Sequence, residues 1–207
     1  MAEFSYLFLS DVEPWRGGST KRPPSMRHIA TSRHAVAFAF KLLLSGDPKA
    51  ITAPQRGPRK CFHLIGDRQV GVARLLAFLR RIELPHAQPL IDDTIAFLNR
   101  PQHDAAFFLL DPLEVFNSDE PYKTQINKLL DEIMDIDSAI EGQLAWLHEP
   151  LGRMTVGEPT QPGFIARLFG AKPKPALLLP APDPLYRLER IGLQSWHEEN
   201  GQPPAAN

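Results

Sequence analysis

Proline decides where this chain can be regular. Its ring removes the backbone N–H and fixes φ, which excludes it from helix interiors and central strands. The 207 residues contain 21 prolines, roughly twice the average usage. Most gather at 14–24, 48–58, 159–184 and 203–204. Those stretches read as loops, linkers and tail, and regular structure is confined to the intervals between them. The run "KPKPALLLPAPDP" is expected to be extended.

The intervals carry mixed periodicities. Phe4-Ser5-Tyr6-Leu7-Phe8-Leu9 reads as a short strand, buried on both faces near its end. Residues 14–28 read as a basic loop. Ser32 is placed to cap a helix over 33–44, which Ser45-Gly46-Asp47-Pro48 stops. A second strand is expected over 60–65. Asp67 then caps a helix over 69–82, whose first turn Gly71 weakens slightly. Another helix is expected over 90–99, and "AAFFLL" at 105–110 is a candidate buried strand. Tyr122, Ile126, Leu129, Ile133, Ile136, Ile140, Leu144 and Leu147 recur at steps of three or four. At 3.6 residues per turn they form one stripe, predicting a single long helix over 121–148. Residues 186–193 read as a last strand returning to the sheet, and 200–207 as a disordered tail. The expected fold class is α+β: one domain over 1–150, with a small sheet packed by several helices. A proline-rich extension over 151–207 follows it.

Totals narrow the function classes. A formal net charge of −1 gives no global bias towards nucleic acid or membrane. One cysteine, Cys61, excludes a disulfide framework and a multi-cysteine zinc site. The N-terminal apolar run is too short for a signal peptide, and no stretch approaches a membrane span. A soluble, cytoplasmic protein is expected, without cofactor or metal. No G-x-G-x-x-G or G-x-x-x-x-G-K-[ST] fingerprint is present.

Few residues suggest chemistry. Cys61 and His63 are two apart on one strand and share a face. They suggest either a small cysteine-dependent hydrolase or a buried thiol beside a satisfied histidine. His103-Asp104 and His86 resemble fragments of metal sites, but three or four convergent ligands cannot be assembled from them. Asp92 and Asp93 are adjacent, so on a helix they diverge by about 100°. Charge distribution is more informative. Residues 1–60 hold ten Lys/Arg against four Asp/Glu; residues 100–160 hold four against twelve. Asp131 and Asp135 fall opposite the apolar stripe, and Glu132, Asp137 and Glu141 flank it. Like charges four apart cost a helix a few tenths of a kcal/mol. Helix stability therefore does not ask for Asp131 with Asp135, or Asp137 with Glu141. The face is either simply solvated or a docking surface for a basic protein. The basic loop (Arg16, Lys21, Arg22, Arg27, Arg33) admits phosphate, an acidic partner or plain solvation. It lacks the interleaved aromatics that stack bases.

The stretches "FSYLFLSDVEPW", "FKLLLSGDP" and "LLAFLRRI" together resemble a family of small bacterial proteins. Its members start with a "SYL-aromatic" strand and a proline-containing loop, followed by a helix with an "LLSG"-type stop. Many are immunity proteins of polymorphic or contact-delivered toxin systems. The resemblance covers residues 4–84. It implies a non-enzymatic role: binding a cognate toxin effector, basic around its active site, and occluding that site. Asp131, Asp135, Asp137 and Glu141 are then the expected partner-binding residues, with neither nucleic acid nor membrane as partner. A chaperone or adaptor for a secreted effector is a related alternative.

Overall fold

The computed structural model describes residues 3–13, 26–53, 61–149, 155–156, 177–178, 184–194 and 196. Five strands form one antiparallel sheet in the order β2-β1-β5-β4-β3. β1 is Phe4–Ser10, β2 Arg27–Arg33, β3 Lys49–Ala53, β4 Cys61–Asp67 and β5 Phe107–Asp111. With the helices packed on it, the chain is a single α+β domain. β1 alternates as a half-covered strand should. Ser5, Leu7 and Leu9 are buried, whereas Phe4, Tyr6 and Phe8 are half-buried on the other face. At its end both faces close, with Leu9 and Ser10 buried in succession. β5 is central, and Leu7↔Leu110 and Leu64↔Leu110 stack one buried row across three strands.

Helix α1 (Phe38–Leu44) is short and apolar nearly all round, with Ala39, Phe40, Leu42, Leu43 and Leu44 buried. It lies between the sheet and α2 (Arg68–Leu79) at backbone distance. A Cβ on Gly66 would overlap the Leu44 carbonyl, and one on Gly71 would overlap the Leu43 carbonyl. The glycine that weakens α2 locally is therefore what lets α2 touch α1. Asp67 caps α2 as expected, accepting the Val70 N–H at 2.9 Å. α3 (Gln88–Leu98) buries Ile91, Thr94, Phe97 and Leu98.

Four expectations are corrected. The helix starting at 33 with Ser32 as cap is not there: Ser32 lies in β2, and α1 begins only at Phe38. The loop expected over 14–28 gives way to strand from Arg27 onward. Ile29 and Ala30 are buried, and the pairing shifts register between Leu7 and Phe8. The single helix over 121–148 is two helices, α4 (Tyr122–Met134) and α5 (Ile136–His148). Asp135 divides them because Ser138 Oγ hydrogen-bonds both its carbonyl and its carboxylate, at 2.8 and 2.6 Å. Such local bonds compete with the helical ladder. The strand expected over 186–193 is instead helix α6 (Pro184–Ile191). It ends in a Schellman motif: Gly192 has φ 97°, Leu193 N–H donates to the Leu188 carbonyl and Gly192 N–H to that of Glu189.

The core takes in residues far along the chain. Leu188, Ile191 and Leu193 are buried in the same cluster as Leu7 and Phe40. Trp196 bridges to Ala30 on the β2 edge. Its ring packs against Phe40 and Phe97, and its indole N–H donates to the buried Thr94 hydroxyl at 2.9 Å. Thr155–Val156 and Leu177–Leu178 pair as a separate two-stranded ladder, β6 with β7. The basic residues Arg16, Lys21 and Arg22, most of the proline-rich stretch and the tail at 200–207 lie outside the described residues.

Two stability outcomes follow. Gly71→Ala gains about 1 kcal/mol of helix propensity but must part α1 from α2. Overpacking of that kind costs about 1–3 kcal/mol, so the variant should unfold at lower denaturant concentration than the parent. Trp196→Ala should cost about 2–4 kcal/mol through lost packing. A lowered Tm for this single change, so near the C-terminus, would establish that the last described residues belong to the cooperative unit.

Candidate functional site

The acidic segment separates into two groups once the helices are placed. α4 turns Ile126, Leu129 and Ile133 into the core. Asp131, Met134 and Asp135 are spaced i, i+3, i+4, share the opposite face and are all exposed. Met134 is 66% exposed, more than any other large apolar side chain among the described residues. It sits at the α4–α5 break with a carboxylate four residues apart on either side of the same turn. Asp137 and Glu141 are exposed as well but lie against cations. The Asp137 carboxylate lies 3.7 Å from Arg74, and that of Glu141 lies 2.7 Å from Arg81, both on α2 or just past it. Glu132 pairs with Lys41 of α1 at 2.5 Å. Of the four sequence-predicted residues, all exposed, Asp137 and Glu141 pair with cations on or just past α2, and Asp131 and Asp135 have no ion pair among the described residues. Met134 belongs with the latter pair, and it is recognisable only once the helix phase and its end are known.

A second cluster lies on the sheet face away from α1. Phe4, Tyr6 and Phe8 of β1 share it with His28 of β2, whose ring lies 5.8 Å from Tyr6 and 5.4 Å from Phe8. Tyr6 stands opposite Asp111 in the β1–β5 register, and its hydroxyl donates to the Glu114 carboxylate at 3.2 Å. Burial and the two carboxylates hold the Tyr6 phenol above its ordinary value. His63 approaches Asp111 from the other side, 3.9 Å from Nδ1 to Oδ2. That separation is electrostatic contact rather than a hydrogen bond. Desolvation pushes His63 below the ordinary histidine range; Asp111 and the Leu110 backbone oppose this. A neutral imidazole beside a carboxylate is the base half of many nucleophilic sites, but His63 is 8% exposed. The Cys61 backbone shares its strand and face, while the Cys61 side chain lies outside the described residues.

The metal-like fragments come apart. His103 is buried and its Nδ1–H donates to the Phe97 carbonyl at 2.6 Å, with its ring 4.2 Å from that of Phe97. Asp104 turns instead towards Arg68, 3.7 Å away. Asp92 accepts from Gln88 within α3. Among the described residues no three metal-ligating side chains converge, and no helix is long and apolar enough to cross a membrane.

Residues 15–150 match the family described as Domain of unknown function (DUF7822), and the chain belongs to that family. No curated protein and no solved structure matches it. The family description names no activity or partner.

The two lowered histidines set an acid limit on the fold. His63 is depressed by burial. His103 is depressed by burial and by the nearby Arg100, Arg27 and Arg68 charges, against the Phe97 carbonyl. The unfolded chain binds protons on both at higher pH than the folded one does. Stability is therefore full above the unfolded histidine value of roughly 6.5 and falls with pH below it, levelling off beneath the folded values. Tm measured downward from about pH 7.5 should drop through this window. The drop should be shallower in His63→Leu and His103→Gln, each compared with its own neutral-pH value.

Proposed function

We propose that this protein is a non-enzymatic inhibitor of the immunity type. In this reading it binds a cognate toxin effector at a basic active-site cleft, and the α4–α5 turn is what enters the cleft. The observation that carries the reading is Met134, 66% exposed and flanked by Asp131 and Asp135. Methionine is enriched at protein–protein interfaces, and a flexible apolar side chain at the tip of a turn can enter a pocket on a partner. The two carboxylates beside it are suited to steering a cationic surface and to rejecting acidic ones. Asp137 and Glu141 contribute less to the outward field because Arg74 and Arg81 lie against them. Their part is to hold α5 so that the turn stands clear. The resemblance over residues 4–84 supports the same class of function.

The test begins with rescue. The product of the adjacent gene is expressed in a sensitive cell with and without this protein, and the pair is then purified. Rescue with a stable complex is the expected result. Asp131→Lys with Asp135→Lys should slow association about tenfold or more at low ionic strength, with the gap narrowing as salt is added. Met134→Ala should act mainly on dissociation. An association rate indifferent to the double charge reversal would remove the α4–α5 turn from the interface, and toxicity without rescue would remove the immunity reading itself.

A further inference from the structure

A cleft of about 400 Å³ opens between residues 31–35, at the end of β2, and α6 with the Gln194 that follows it. Its volume lies within the range of small-ligand sites. Four of its residues carry or can carry charge: Arg33, His34, Arg190 and Glu189. Among the described residues, many of the other cations are matched. Arg27, Lys41, Arg68, Arg74, Arg81 and Arg187 each lie within 3.8 Å of a carboxylate. Among the described residues neither Arg33 nor Arg190 has an ion pair or a side-chain hydrogen bond, although both line one cavity. Arg190 is instead stationed over the Tyr186 ring, 6.0 Å from its centroid.

The rim of the cleft is also held in a costly conformation. His34 has φ 66°, a region that side-chain-bearing residues rarely occupy. Two bonds to the start of β1 keep it there: His34 N–H donates to the Glu3 carbonyl at 2.7 Å, and Ser5 Oγ to the Ala35 carbonyl at 3.2 Å. Strain of this kind persists where surrounding structure over-determines it, and it is concentrated at ligand sites.

We propose that this cleft binds a small phosphorylated ligand, with the phosphate taken by Arg33 and Arg190 together. Two guanidinium forks present more donors and more charge than one carboxylate can satisfy; a phosphate dianion, with three terminal oxygens, matches both. His34 and Gln194 add donors at the rim. Glu189 is the one carboxylate of the lining, and it suits a hydroxyl or amino group elsewhere on the ligand. Neither the toxin reading nor the α4–α5 turn enters this assignment.

The experiment needs only the purified chain. Pyrophosphate, inorganic phosphate and citrate are titrated into it calorimetrically at constant ionic strength. Saturable binding of pyrophosphate, tighter than that of phosphate or citrate, is expected. Loss of one charge-assisted contact is worth about tenfold or more in affinity, so Arg33→Ala and Arg190→Ala should each weaken pyrophosphate by at least that factor. Both positions are exposed, and an unchanged Tm checks that the variants are folded. Arg80→Ala, at the exposed end of α2, should bind as the parent does. No saturable heat at millimolar pyrophosphate would overturn the proposal. So would equal weakening by Arg80→Ala, which indicates general charge attraction, or tighter binding of citrate, which indicates a carboxylate site.

Discussion

Helix α1 meets two neighbours at backbone distance, and much of the molecule is arranged by that contact. Its last turn lies against β4 at Gly66 and against α2 at Gly71, with carbonyl oxygens where any side chain would have to go. Such contact excludes solvent from both sides of a seven-residue helix that could not persist alone. The neighbours then fasten onto what remains of its surface. Phe38 meets Phe78 of α2 at 5.2 Å, Phe40 meets Trp196 at 6.2 Å, and Lys41 reaches Glu132 of α4. α2, α4 and the C-terminal segment therefore share one support.

What could be read from the sequence followed from how locally each element is determined. β1, β4, β5, α2 and α3 announce themselves through apolar runs between breakers, and Asp67 through its position before a periodic segment. β2 does not, because "RHIATSR" has only two apolar residues, both buried, among polar ones and owes its strand to pairing with β1. β3 is an edge strand of five residues next to a proline and was not expected at all. The α4–α5 break preserves the apolar stripe, since Ile133 and Ile136 are both buried on either side of it. Periodicity alone could not show it; the Asp135–Ser138 bonds could only be seen in three dimensions. In α6 the signal was present and misread. Gly192 after Arg190 is a helix stop, but the proline-rich sequence before it suggested extended chain.

The site residues divide in the same way. Acidic side chains at 131, 135, 137 and 141 were visible by composition, whereas their orientation depends on where α2 places Arg74 and Arg81. The His63–Asp111 contact arises from register. Ile65 pairs with Leu109, which brings residues two steps along each strand face to face. A sequence carries no local trace of a distance between strands joined by residues 68–106 of helix and loop.

Charge is the thread between the two proposed surfaces. The basic N-terminal third and the acidic middle suggested a molecular dipole, and in the fold several of the acidic residues lie against cations. Lys41–Glu132, Arg74–Asp137 and Arg81–Glu141 each tie helix to helix. Exposed pairs like these add little stability apiece, and their greater consequence is cancellation. Asp131 and Asp135 are left uncancelled on the α4–α5 turn, and Arg33 and Arg190 in the cleft beside β2. A chain with a formal net charge of −1 thus keeps two localised fields of opposite sign, on different elements. Water solvates an exposed unpaired charge, and a partner of opposite sign can take that water's place. The two proposals rest on these unpaired charges: the α4–α5 turn is suited to a cationic partner and the cleft beside β2 to an anionic one.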